Sequence, residues 1–180
     1  MAEPLILTLQ MDASSQEHFD RLRELHFPPE RNYLGAHLTL FHQLPGEREA
    51  EISTELREIC REREPLALAV TGLRFLGRGV AYELSSPQLS ALRRELARSW
   101  EPWLGAQDRQ GFKPHITVQN KVSPEQARTL HQALQATFSP FEIDGPGLSL
   151  WRYLGGPWEP AGTYLLGSRP RETLPDIGSG

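Results

Sequence analysis

Cysteine is nearly absent: Cys60 is the only one in 180 residues. An intramolecular disulfide and a cysteine-based zinc site are therefore excluded. No apolar run approaches the ~20 residues of a membrane span. The first residues lack the basic start and apolar core of a signal peptide, so a cytoplasmic protein is the expectation. An excess of basic residues is missing too. The net charge is -4 with histidines neutral, which argues against wrapping long nucleic acid, a task that usually needs a basic face. A short oligonucleotide or a mononucleotide stays open. What the chain does have is core-forming material, 38% apolar and 23% charged, enough for one domain or two small intimate lobes. We expect a single two-lobed domain over residues 1–169. Residues 170–180, rich in Pro and Gly, read as a loose tail.

The stretch with the most chemistry is FKPHITVQN, residues 112–120. β-Branched residues dominate His115-Ile116-Thr117-Val118, and Pro114 stands at a tolerated strand entry. On a strand His115 and Thr117 share one face, and Ile116 and Val118 point the other way into a core. The pattern recurs at His37-Leu38-Thr39-Leu40.

Around these motifs the chain reads as alternating strands and helices. Strands are expected at 4–9, 36–42, 66–76, 80–84, 112–120, 141–154 and 163–166. Helices are expected at about 14–26, capped by Ser14 or Ser15, at 47–64, from Ser86-Pro87 to Trp103, and from Ser123-Pro124 to Phe138. The fold class is α+β. The two motifs lie 78 residues apart (115 - 37). The same offset places Arg74-Phe75-Leu76-Gly77 on Arg152-Tyr153-Leu154-Gly155, and Ile52 and Leu56 on Leu130 and Leu134. Each half then reads strand, helix, His-x-Thr strand, helix, strand, which points to duplication of a unit over about 2–77 and 80–155. A pseudo-two-fold axis would bring the motif strands face to face.

Two histidines in one cleft, one neutral and one protonated, make a general base and a general acid. That pair suits in-line displacement at a phosphodiester. Each threonine can donate a hydrogen bond to a non-bridging phosphate oxygen. A cyclic phosphate suits such a site because its ring holds the reacting atoms close to geometry.

Paired His-x-Thr-aliphatic motifs in a duplicated α/β chain of this length resemble the two-histidine phosphoesterase superfamily, and most closely its bacterial 2'-5' RNA ligase, or RNA 2',3'-cyclic phosphodiesterase, branch. The resemblance spans about residues 3–167. It implies a bilobal fold with two antiparallel sheets forming a central cleft, helices outside, and neither metal nor cofactor. It implies hydrolysis of RNA or nucleotide 2',3'-cyclic phosphates to 2'-phosphates, with reversible 2'-5' ligation of RNA in some members. His37 and His115 would be the acid–base pair, and Thr39 and Thr117 the phosphate binders. The sequence departs from the branch at Asn120, where an arginine is usual. Arg152 and Arg74, in matching strands, are the candidates to replace it.

Phe41 shares the strand parity of His37 and Thr39 and is the preferred base-stacking candidate, with Tyr33 and Trp151 behind it. His42, at the opposite parity, reads as structural. Expected partners are RNA ends or small cyclic nucleotides. No obligate protein partner is evident, and a monomer is expected. The alternative is a non-catalytic module that binds a nucleotide or RNA end in the same cleft, although a pure binder has no need of two proton-exchanging groups.

Overall fold

The computed structural model describes residues 2–167, so the expected tail at 170–180 lies outside the described residues. Eight strands and five α-helices alternate among them: β1 (Leu5–Gln10), α1 (Ala13–His26), β2 (Thr39–Leu44), α2 (Glu49–Arg61), β3 (Leu66–Phe75), β4 (Val80–Ser85), α3 (Pro87–Trp100), α4 (Ala106–Arg109), β5 (His115–Gln119), α5 (Pro124–Thr137), β6 (Phe141–Gly145), β7 (Gly147–Tyr153) and β8 (Trp158–Leu165). They build two four-stranded antiparallel sheets, ordered β2-β1-β7-β8 and β5-β4-β3-β6. Helices pack on them, α1 against β5, α2 against β8 and α5 against β3. The fold class is the α+β expected from the sequence.

Local chemistry explains most boundaries. Ser123 and Gln126 form a reciprocal capping box at α5, and Ser86 caps α3 with Pro87 at its first position. These satisfy amide groups that a helix start otherwise leaves unpaired. At α1 the cap is Asp12, which accepts from the Ser15 amide, rather than Ser14 or Ser15. A carboxylate just upstream took that role, and Ser14 donates its hydroxyl to it.

The expected strand over 141–154 is two strands in different sheets. Gly145 pairs with Leu66 in the second sheet and Gly147 with Gln10 in the first. Pro146, between them, has no amide to give to a ladder. A Cβ on Gly147 would lie 2.6 Å from the Tyr164 carbonyl oxygen, so this crossing needs glycine after the proline, whereas one on Gly145 would press at 2.8 Å on Leu9 Cδ1, a side-chain end that can shift. The last expected strand starts earlier than read, at Trp158.

Sheet membership does not follow the two halves of the sequence. β3 leaves β1 and β2 to pair with β4, while β7 returns to pair with β1. Gly77 and Gly155, 78 residues apart, both take left-handed φ, +87° and +89°, in the hairpins that follow β3 and β7.

A β-bulge decides the fate of Phe41. Thr39 pairs with Thr8 and Phe41 with Leu7, so two residues of β2 advance against one of β1. Such a bulge breaks the period-two alternation. Phe41 therefore leaves the face of Thr39 and joins the core at 0% exposure, edge-on to Trp100 at 5.0 Å between centroids. This corrects the reading of Phe41 as a base-stacking group: its ring has no surface to offer.

Behind the bulge lies Arg93 of α3, itself buried. Its Nε donates to the Leu40 carbonyl (3.0 Å) and its Nη2 to the Asp108 carbonyl (2.7 Å), with the guanidinium 4.1 Å over the Phe41 ring. Phe41→Ala should lower the unfolding free energy by about 3–5 kcal/mol. Arg93→Met, which leaves two buried carbonyl oxygens unpaired, should lower it by about 2–4 kcal/mol. Denaturant unfolding followed by tryptophan fluorescence measures both.

Candidate active site

His37 sits two residues before β2 begins, not within it. Three bonds hold this extended segment in place of a ladder. The Ala36 amide donates to Asp20 Oδ1 (2.7 Å), Gln16 Nε2 donates to the Ala36 carbonyl (2.8 Å), and the Leu9 amide donates to the Leu38 carbonyl (2.9 Å). Leu38 is fully buried, so the segment is pinned on either side of the histidine. His115 opens β5, three residues after the start expected at 112, and is paired across to Glu83. Thr39 and Thr117 follow their histidines at the same spacing and are both partly exposed.

The two rings are held alike. His37 Nδ1 lies 2.8 Å from the Gly35 carbonyl and His115 Nδ1 lies 2.9 Å from the Lys113 carbonyl, each two residues upstream. A carbonyl oxygen only accepts, so both rings carry hydrogen on Nδ1 and keep Nε2 for other work. Arg74 Nη1 stands 3.4 Å from His115 Nδ1. As both atoms are donors, this is a cation against the ring edge, not a hydrogen bond.

The electrostatics separate the pair. Burial pushes His37 down to about 4, helped by the charges of Arg23, His115 and His42 and opposed by the Gly35 carbonyl. Burial also lowers His115, with Arg74 and His42 adding to it, while the Lys113 carbonyl and Glu83 oppose it. His37 is thus the more firmly neutral ring. The mutual repulsion also places the two histidines, His42 and two arginines close enough to feel one another, so the region favours an anion.

Two hollows flank the pair. On the His37 side a cavity of about 330 Å³ is walled by Tyr33, Trp151, Trp158, Gln10 and Ser149. The Trp158 ring leans on His37, 4.7 Å between centroids, and Trp151 is fixed by its Nε1 donating to Thr8 Oγ1 (2.9 Å). On the other side a cavity of about 270 Å³ runs between the sheets, bordered by Thr39, His42, Arg74, Lys113 and His115. First-motif Thr39 and second-motif His115 therefore line one space.

Arg152 does not join them. It pairs with Leu5, whose side chain faces the core, whereas Thr8, Ser149 and Trp151 line the cavity. Its guanidinium is bound by Glu49 (2.7 Å) and Glu159 (3.2 Å). The sequence reading of Arg152 as a substrate contact is corrected by this placement. Its counterpart Arg74 lies beside His115 instead, because β3 crosses into the second sheet.

The sequence reading did not single out Arg23, Arg93 or Asp108, which act through carbonyls and amides distant in sequence, nor Trp158; His42, read as structural, borders the cavity with His115. Trp158 follows a Gly-Gly-Pro turn at 155–157, a hairpin signal that could have marked it as a strand-start aromatic. Among the described residues no three His, Cys, Asp or Glu side chains group as metal ligands would, and no helix is long and apolar enough to cross a membrane.

No curated protein matches the sequence. Solved structures of similar fold include TT0787 of Thermus thermophilus, 16% identical over 91% of this chain and 98% of that one, TM-score 0.65. A structure described as a phosphoesterase is 21% identical over 92% and 99%, TM-score 0.60. E. coli LigT complexed with NADP+ is 21% identical over 93% and 99%, TM-score 0.58. A family model described as the 2'-5' RNA ligase superfamily matches residues 11–157, and the chain belongs to that superfamily.

Proposed function

We propose that this protein is a phosphoesterase that hydrolyses RNA or nucleotide 2',3'-cyclic phosphates to 2'-phosphates, with His37 as general base and His115 as general acid. The observation that carries this reading is the matched fixing of two rings by Nδ1-to-carbonyl bonds, each with a threonine two residues on. Superfamily membership supports phosphoesterase chemistry, and the E. coli LigT structures complexed with NADP+ and 3'-AMP support a nucleotide ligand.

The reaction proceeds by in-line attack. Neutral His37 Nε2 takes a proton from water as its oxygen bonds to phosphorus. The bond from phosphorus to the 3' oxygen breaks, and His115 gives its Nε2 proton to that leaving oxygen. The products are a 2'-phosphate monoester and a 3'-hydroxyl, and exchange with solvent restores both rings. Thr39 and Thr117 hydroxyls donate to the non-bridging oxygens as charge builds there. An RNA 5'-hydroxyl in place of water would give a 2'-5' link by the same transfers. Firmly neutral His37 suits the base, and His115, the less buried of the two, holds a proton more readily.

With an RNA oligonucleotide ending in a 2',3'-cyclic phosphate and chelator present, His37→Ala and His115→Ala should each lower kcat/KM by about 10²–10⁴. Thr39→Val and Thr117→Val should lower it by about 10². Product analysis by phosphorus NMR should show the 2' isomer. Turnover abolished by chelator, or unaffected in the histidine variants, would overturn the assignment.

The pH profile follows from the two shifts. In the free enzyme the base must be neutral, which holds above about 4 for His37. The acid must be protonated, which holds below a His115 value that lies beneath the ordinary 6.5. Thus kcat/KM should rise through about pH 4, peak on the acid side of neutrality and fall as His115 loses its proton. A bound phosphate favours both imidazoliums, so the kcat profile should lie at higher pH than that of kcat/KM. Stopped-time assays in a constant-ionic-strength buffer series test this. A kcat/KM still rising between about pH 6.5 and 8 would refute it.

A further inference from the structure

The cavity on the His115 side holds more basic groups than one reacting phosphate requires. His42 is the least expected. After the bulge in β2 its side chain reaches the rim of this cavity, with 42% of its surface exposed. It is nevertheless fixed. Asp108, 3% exposed, accepts from the His42 amide (2.8 Å), the Gln43 amide (3.0 Å) and His42 Nδ1 (3.1 Å). Bonding by these amides and the His42 ring, against a desolvation cost that works the other way, holds Asp108 below the usual carboxylate range, so the carboxylate stays ionised and Nδ1 of His42 donates to it. The ring then keeps only Nε2 unengaged, and that atom donates to a phosphate oxygen when the ring is protonated, with the Asp108 carboxylate as its counter-charge. Arg93 completes the support by donating to the Asp108 carbonyl.

Two other groups on this wall are cations. Arg74 Nε is held by Glu83 at 2.9 Å, which leaves the rest of its guanidinium beside His115. Lys113 is exposed on the same rim, and its ammonium forms no ion pair among the described residues. Of the two carboxylates nearby, Asp108 is occupied by His42 and Gln43, and Glu83 by Arg74. The wall therefore presents His42, Lys113 and part of Arg74 with no free acid among them. It shares no lining residue with the aromatic hollow at Trp158, so one nucleoside seated in that hollow would leave this wall unfilled.

We propose that His42, positioned by Asp108, forms with Lys113 and Arg74 a second anion subsite, which takes the phosphate attached to the 5' oxygen of the reacting nucleotide. This rests on the nucleotide cyclic phosphate reading above and narrows its substrate class to RNA 3' ends, where that phosphate is an internucleotide diester. His42 is a binding residue here and takes no part in proton transfer to the reacting phosphorus.

The test is binding of product-like probes, which does not depend on turnover. Calorimetry would compare uridine 2'-phosphate, uridine 2',5'-bisphosphate and the dinucleotide UpU carrying a terminal 2'-phosphate. The wild type should bind the dinucleotide ~10-fold or more tightly than uridine 2'-phosphate, the scale of a charge-assisted contact. His42→Ala and Lys113→Ala should each reduce that preference severalfold, and Lys113→Arg should retain it. His42→Ala keeps both amide bonds to Asp108, and a thermal melt checks that it folds. Arg128→Ala, on the exposed face of α5, should leave the preference intact; an equal loss there would mean diffuse attraction and overturn the subsite.

No preference in the wild type, or a preference that survives both His42→Ala and Lys113→Ala, also overturns it. Tight binding of the bisphosphate alone would overturn the RNA-end class in favour of a mononucleotide with a terminal 5'-phosphate. Absence of hydrolysis together with an intact, His42-dependent preference would sink the catalytic reading while leaving the subsite standing.

Discussion

Two buried arginines hold the candidate site together, each donating to the backbone of a motif strand in the other half of the chain. Arg23 of α1 donates from Nη1 to the Thr117 carbonyl at 3.0 Å, with its Nε on Asn32. Arg93 of α3 donates to the Leu40 carbonyl. A buried guanidinium is costly unless its donors are met, and here backbone carbonyls meet several of them. Aromatic rings, Phe27 for Arg23 and Phe41 for Arg93, cover their faces. Because each carbonyl belongs to a motif threonine or its neighbour, the bonds fix the backbone that aims Thr39 and Thr117. The relative placement of the two motifs is thus set by charge-assisted bonds to carbonyls as well as by apolar packing.

The same arrangement gathers basic groups at one place in a chain of net charge -4. Arg23, Arg74, His42 and the two motif histidines converge, while acidic groups such as Glu17, Glu24, Glu51, Glu58, Glu95 and Glu125 lie on exposed helical faces where solvent screens them. Crowding of like charge lowers both motif histidines further than burial alone. Near-equivalent residues are thus lowered to different degrees because their surroundings differ. His37 is enclosed beside Trp158, whereas His115 sits at the start of β5 with Glu83 opposite it to offset some of the lowering.

Much of the secondary structure was legible because its causes are local. Ser123-Pro124 with Gln126, Ser86-Pro87, and the period-two pattern at His115-Ile116-Thr117-Val118 act within a few residues of themselves. The misreadings have non-local causes. Phe41 was assigned by parity, and a bulge against β1 reversed it. The run 141–154 was apolar enough for one strand, but Gly145-Pro146-Gly147 passes it between sheets. Arg152 and Arg74 were indistinguishable in sequence. One became bound by Glu49 and Glu159, and the other lies beside His115, because the sheets they joined differ in what stands opposite.

Covalent order alone supplies the residues able to do the chemistry, their two-residue spacing and the family, since it puts a threonine two places after each histidine. Which of the remaining polar groups join them is a matter of tertiary structure. Asp108 meets His42 across 66 residues, and Arg23 meets Thr117 across 94. Such pairings depend on sheet order and on a bulge, and these are set by how the whole chain buries its apolar faces and satisfies its backbone.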